Sequence, residues 1–249
     1  LFNGTFRLQH RGQEYVGIST FEPERLEEER LKLRTHRGLV KSTFSDDLVG
    51  LEGMSGISHV SSKDRQPISQ YARFGKFVVG FDGYIMNAER LRNRLYSQGH
   101  SFSTLEDIEL LAKLITQEKT VEKGLENILM EVKGPCSLVV LTQDGTIFAA
   151  RDKLGFKPLV LGQNSQARAV TSESCGFTPK MEIVRDIEPG EIVRITSEDF
   201  SIMAKLGDGK KKFCSFEHTY YANPSSVIEG RSVVDVRHAL GGFLADDED

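Results

Sequence analysis

The groups able to do chemistry in this chain are few and scattered. Three cysteines, Cys136, Cys175 and Cys214, make an odd number with no C-x-x-C pair. That pattern argues against a disulfide framework and a structural zinc site, and for a reducing, cytoplasmic setting. His59 lies in an apolar, strand-like run, where a histidine is a hydrogen-bonded structural residue more often than a base. Asp82-Gly83 follows the run Phe77 to Phe81 and reads, on turn chemistry, as the end of a buried strand. Asp107 stands in the first turn of a helix-like segment, where the helix dipole favours a carboxylate. Arg11 follows the end of a short helix, and Arg151, Asp152, Gly155 and Pro158 read as a turn between strands. By type and spacing alone these residues do not assemble into a catalytic set.

The elements that must position them follow from periodicity. Residues 1 to 10 read as the end of an amphipathic helix, and Tyr15 to Thr20, Ser55 to Val60 and Phe77 to Phe81 as strands. Glu22 to Arg30, charge-dense with both signs, reads as a solvated connection, with alternation resuming at Leu31 and Leu33. Asn87 to Gln98, Glu106 to Thr116 and Val121 to Val132 carry helical spacing. Strands then dominate: Cys136 to Thr142, Thr146 to Ala150, Pro158 to Leu161, Ala169 to Thr171, Glu191 to Thr196 and Ser201 to Ala204, with turn signals at Asp144-Gly145 and Pro189-Gly190. Val233 to Leu244 closes the chain as an amphipathic helix ahead of an acidic tail. Strands, then helices, then strands, without regular βαβ alternation, predict an α+β layered fold of antiparallel sheets covered by helices.

Composition sets the outer bounds. The chain has 249 residues, enough for one large domain. Its 39% apolar residues, with 23 Gly added and 6 Tyr removed, come to about 46%, inside the ordinary globular window and outside disorder or collagen. With 32 basic and 36 acidic residues interspersed, the net charge is −4 and no broad basic face is available, so nucleic acid is not an expected partner. No apolar run approaches the 18 or so residues of a membrane helix, and no membrane partner is expected. The chain begins with Leu1 rather than Met, so further residues are expected upstream.

Six segments in order carry a resemblance. LQHRGQEYVGI (Leu8 to Ile18), QP followed by RFGKFVVGFDGYIMNAERLR (Gln66 to Arg92), RDKLGFKPLVLG (Arg151 to Gly162), TSESC (Thr171 to Cys175), VRDIEPGEIV (Val184 to Val193) and FEHTYYANPSS (Phe216 to Ser226) together resemble the glutaminase domain of amidophosphoribosyltransferases. These are class II glutamine amidotransferases of the N-terminal nucleophile hydrolase kind, which supply glutamine-derived ammonia to the first step of purine synthesis. One such segment is weak, whereas six in register across nearly the whole chain are specific.

The resemblance implies a four-layer αββα sandwich, with residues 1–245 as the glutaminase-like domain and 246–249 as an acidic tail. It implies a cysteine nucleophile at the mature N-terminus whose own amine is the base, so that cysteine and the first strand are expected upstream of Leu1. Of the glutamine-binding positions, Arg11, Asp107 and Gly83 match the family, Arg11 and Asp107 holding the amino-acid end. Two positions depart from it. Ser61 stands where the family has the arginine that grips the α-carboxylate, exchanging a bidentate charged contact for one neutral hydroxyl. Asp82 stands where the family has the oxyanion-hole asparagine, placing an acceptor-only carboxylate where a donor is needed. The expectation is therefore a glutamine amidotransferase domain impaired as a catalyst, or a non-catalytic binding or regulatory module for a separate phosphoribosyltransferase. Cys214 resembles an iron–sulfur ligand position of one branch, but a cluster needs four ligands, and no metal or cofactor is expected. Val233 to Asp235 and the terminal ADDED lack the paired aspartates and hydroxyl-rich loop of a phosphoribosyltransferase domain. The expected partners are weakly held glutamine, a phosphoribosyltransferase domain or subunit, and further copies of the chain in a homo-oligomer.

Overall fold

The structure, a computed structural model, describes residues 1–44 and 48–247. The chain opens with helix α1 (Phe2–Arg7) and a 3-10 turn (Gln9–Arg11), then strands β1 (Tyr15–Phe21) and β2 (Leu31–Arg37), helix α2 (Val40–Phe44) and strand β3 (Ser55–Ser61). Strands β4 (Ile68–Ala72) and β5 (Gly75–Gly83) lead into helices α3 (Ala88–Ser97), α4 (Asp107–Thr116) and α5 (Val121–Glu131). Strands β6 (Cys136–Thr142), β7 (Ile147–Arg151), β8 (Val160–Gln163), β9 (Arg168–Thr171), β10 (Glu182–Asp186), β11 (Glu191–Ile195) and β12 (Phe200–Lys205) follow. A π-helical turn (Glu217–Tyr221) and helix α6 (Val233–Asp247) come last.

All these strands pair antiparallel, as hairpin turns permit. One sheet has six strands in the order β12-β11-β7-β6-β5-β4. Facing it lie two three-stranded sheets, β2-β1-β3 and β10-β8-β9. The period of two along β5 decides the layering: Phe77, Val79 and Phe81 pack with Leu91, Leu95, Ile108 and Leu111 of α3 and α4, while Val78 packs with Phe21, Leu31 and Ile57 of the opposite sheet. Farther along, Ala149 and Val193 meet Leu159 and Leu161. The outer face of β1 is covered in turn, Val16 and Ile18 packing against Val40 and Phe44 of α2. Helices, six-stranded sheet, divided sheet and helices make the four layers of an αββα sandwich.

Helix α1 bridges the two outer sheets. Thr5 donates from Oγ1 to Ser58 Oγ on β3 at 2.7 Å, and Arg7 donates to the carbonyl of Phe177, beyond β9, at 2.5 Å. The turn signals act as expected: Gly145 and Gly190 take φ of +84° and +73°, the left-handed region a glycine enters freely. Strands β4 and β10 and the five-residue α2 are absent from the sequence reading. Both strands lie at sheet edges with half-exposed or exposed residues, so neither shows the apolar run that marks a buried strand. Helix α6 forms where expected, and Asp246 and Asp247 of the acidic end continue it; the last two residues of that tail lie outside the described residues. Its apolar positions Val233, Val236, Leu240, Phe243 and Leu244 share one face at helical spacing. Val233 is buried, while Leu240, Phe243 and Leu244 are exposed. Among the described residues no helix is long and apolar enough to cross a membrane.

Candidate functional site

The site grows from the C-terminal end of β5, where Asp82 and Gly83 lie opposite Ser137 and Cys136 of β6. Gly83 has φ +153°, and a Cβ there would run into the carbonyl oxygen of Pro135, whose acceptor role is already filled by the Tyr84 N–H at 2.9 Å. The position therefore demands glycine. The Asp82 carboxylate does not face an empty cleft. Its Oδ2 accepts from Arg11 Nη2 at 3.1 Å, and its Oδ1 lies 3.1 Å from Lys157 Nζ. Burial pushes this carboxyl up, but the guanidinium of Arg11 and the ammonium of Lys157 outweigh it and hold it at about 2. Asp82 is an anion at neutral pH.

Arg11, carried by the 3-10 turn after α1, is the hub. Its buried guanidinium donates from Nη1 to Glu173 at 2.7 Å and to Glu217 at 2.9 Å, and from Nη2 to Glu217 at 2.9 Å as well as to Asp82. It also lies 4.6 Å over the ring of Tyr221, whose hydroxyl donates to the Arg11 carbonyl at 2.9 Å. Glu173 is fully buried and accepts from His10 Nε2 at 2.7 Å, the Asn223 N–H at 2.8 Å and Ser226 Oγ at 2.8 Å. Against the upward push of burial, these donors and Arg11 hold Glu173 at about 2. Lys157 also reaches Glu217 at 3.6 Å. One buried and one half-buried cation are thus shared among three carboxylates, each pairing offsetting part of the desolvation of its neighbours.

Ser61 and Asp107 come from other elements. Ser61 ends β3, and its hydroxyl accepts from the backbone N–H groups of Lys63 at 3.1 Å and Asp64 at 3.0 Å, which ties it into its own loop. Asp107 opens α4 and accepts from Arg92 at 2.9 Å. The Cys136 thiol, beside Gly83, is pushed well up by burial and by the negative charges of Asp152, Asp82 and Asp107. The structure therefore brings Asp82, Gly83 and Asp107 around one end of the β5–β6 pair. It joins Arg11 to Asp82 directly, but no side-chain contact joins Arg11 to Asp107 among the described residues.

The remaining candidates resolve into scaffolding. His59 Nε2 donates to the Phe81 carbonyl at 2.9 Å, and burial pushes the imidazole pKa down. Arg151 donates to the carbonyls of Gly155, Lys157 and Ile187, and Asp152 accepts from the N–H groups of Leu154 and Phe156, so both hold the turn together. Cys214 is half-buried beside a small cleft shared with Glu217, His218 and Glu229. Among the described residues no three His, Cys, Asp or Glu come together to hold a metal ion. Lys157, Glu173 and Glu217 carry no role predicted from sequence, although each lies inside a segment that bears the resemblance.

Comparison with known proteins agrees with this geometry. Residues 55–178 match the family model of the glutamine amidotransferase domain. The amidophosphoribosyltransferase of Methanocaldococcus jannaschii is 34% identical over 275 residues, covering 98% of this chain and 57% of the relative. Amidophosphoribosyltransferase 1, chloroplastic, of Arabidopsis thaliana is 34% identical over 251 residues, covering 96% of this chain and 44% of the relative. The solved glutamine phosphoribosylpyrophosphate amidotransferase of B. subtilis, complexed with ADP and GMP, superposes with a TM-score of 0.90 at 30% identity, covering 98% of this chain and 55% of that one. The chain spans about half the length of the relatives it matches. The sandwich and these matches define a glutamine amidotransferase domain with the N-terminal nucleophile hydrolase fold. The chain belongs to the amidophosphoribosyltransferase family, as the glutamine amidotransferase domain of that enzyme type.

Proposed function

We propose that residues 1–245 form a glutaminase-type domain that releases ammonia from glutamine poorly, and that it works in the cytoplasm with a phosphoribosyltransferase domain or subunit in the first step of purine synthesis. The observation that carries the impairment is Asp82, an ion-paired carboxylate at the position where the family's oxyanion donor is expected. A carboxylate held at about 2 cannot donate to an oxygen that becomes negative, and it repels that oxygen instead. Ser61 adds to the loss, because its hydroxyl already serves its own loop. The nucleophile is proposed upstream of Leu1, on a strand between the unpaired edges of β3 and β9; the division of the outer sheet at that place supports it. The exposed apolar residues of α6 support a partner domain or copy, and hence the proposed homo-oligomer.

The test is ammonia release from glutamine by the protein with its native N-terminus sequenced. Turnover at least about a hundredfold below that of an active relative is expected from the loss of one oxyanion donor. Turnover within a few-fold of the relative overturns the impairment. A second reading, a non-catalytic binding or regulatory module, is favoured by the engagement of Arg11: its four Nη1 and Nη2 hydrogen bonds all go to protein carboxylates, so neither terminal nitrogen offers a bidentate face to a glutamine carboxylate. No detectable ammonia, with purine-pathway flux still dependent on the chain, would select this reading.

A further inference from the structure

A cleft of about 530 Å³ lies away from Asp82, where the end of α1 meets the approach to β10 and the segment 223–227. None of Arg11, Asp82, Lys157, Glu173 or Glu217 lines it, and its volume is that of a small-molecule site. Hydrogen bonds between distant stretches hold its walls. In the 3-10 turn Ser174–Gly176, the Ser174 hydroxyl accepts from the Val227 N–H at 2.7 Å, and the buried Glu173 accepts from the Asn223 N–H and the Ser226 hydroxyl at 2.8 Å. Arg7 reaches over from α1 to the Phe177 carbonyl.

The lining is apolar at Phe177, Met181, Ile183 and Val227 and holds no Asp or Glu. Its polar groups include donors that the chain leaves without acceptors. Arg7 gives Nη1 to Phe177, and among the described residues its Nε and Nη2 meet neither carboxylate nor carbonyl. Asn223 Oδ1 accepts from the N–H and hydroxyl of Ser225 at 3.0 and 2.8 Å, and its Nδ2, like the Thr178 hydroxyl, has no partner among the described residues. The flanking acids do not alter this balance: the oxygens of Glu173 are filled from within, and Glu182 alternates with Ile183 along β10 and so faces the other way. A cation without an acid, beside apolar surface, suits an anion with an apolar body. We propose that this cleft binds a small organic carboxylate, with its head on Arg7 and Asn223 and its body against Phe177, Met181 and Ile183. The uncommitted Nε–Nη2 edge of the guanidinium presents two parallel N–H groups, the fork that matches a carboxylate.

This site is independent of how much amide chemistry survives around Asp82. Calorimetric titration of the whole protein with phenylbutyrate, phenylbutyramide and phenyl phosphate tests it. Phenylbutyrate is expected to bind at least about tenfold more tightly than its uncharged amide, the scale of one charge-assisted hydrogen bond. Arg7→Gln, which keeps a donor for the Phe177 carbonyl, is expected to remove that advantage. Ile183→Glu, at a position 46% exposed on an edge strand, sets a like charge in the cleft without loosening the core and is expected to weaken binding of the acid at least about tenfold. Cys175 reports the place: it lines the cleft, so saturating phenylbutyrate is expected to slow its alkylation by N-ethylmaleimide, followed by mass spectrometry, while Cys214 keeps its rate. No binding of the acid, amide bound as tightly as acid, wild-type affinity in both variants, or Cys175 alkylated as fast with the acid as without it each overturns the proposal. Tighter binding of phenyl phosphate than of phenylbutyrate overturns the choice of head group.

Discussion

Charge exchanged for charge is the theme at the scale of single residues. Asp82 and Glu173 both ionise near 2 in the fold, below the ordinary carboxylate range, because Arg11, Lys157 and the other donors outweigh burial. A carboxyl depressed in the folded state adds stability that is complete above its unfolded value and disappears as the pH falls through the folded one. The urea midpoint is therefore expected to hold from neutrality to about pH 5 and to drop between about pH 5 and 2. Glu173→Gln should flatten that drop, removing roughly 3 kcal/mol of pH-dependent stability, since this side chain is fully shielded. Asp82 contributes less, its side chain being 30% exposed and so partly screened. A pH series of urea melts checks both, and equal slopes for wild type and variant contradict the assignment. A second expectation concerns repair of the glutamine cleft. Ser61→Arg alone should not restore glutamine affinity, because Asp64 is free to capture the new guanidinium; Ser61→Arg with Asp64→Asn and Asp82→Asn should raise it at least about tenfold, as read by calorimetry.

Elements set these residues to within the tolerance that ion pairing needs. Strand β5 is buried along most of its length and pinned by β4 and β6, so the place where it ends, Asp82-Gly83, is fixed by the core rather than by the loop that follows. Gly83→Ala would place a methyl group against the Pro135 backbone at a φ of +153°. It is expected to cost about 1–3 kcal/mol in urea denaturation and to displace the Asp82 pairs with it. A loss below about 0.5 kcal/mol would mean that the strand end relaxes freely. This end was legible in sequence because a run of apolar residues meets an Asp-Gly turn signal. Helices α3, α4 and α5 were legible too, since their apolar spacing answers one buried face. Strands β4 and β10, at sheet edges, gave no such pattern. Arg11 was found by resemblance, but its four partners come from distant stretches of chain, and such long-range convergence has no local signature.

At the scale of the whole molecule, the division of the outer layer matters most. Among the described residues, the half made of β8, β9 and β10 has no strand pairing to β3. What spans the divide is helix α1 and, beneath it, the carboxylates of Glu173 and Glu217 closing on Arg11. Removing Arg11 leaves two buried carboxylates, Glu173 and Glu217, and the half-buried Asp82 short of their shared cation, and Arg11→Met is expected to cost about 3–5 kcal/mol. The loss should not be spread evenly. Deuterium uptake followed by mass spectrometry is expected to show residues 160–186 opening together with α1 in the variant, while the β5–β6 amides keep their protection. Uniform acceleration across the chain would mean that the divide is no mechanical boundary. If the boundary holds, the buried charges act as a latch between two leaves, and a solute that competes for the latch would loosen the fold at that hinge before it touched the hydrophobic core.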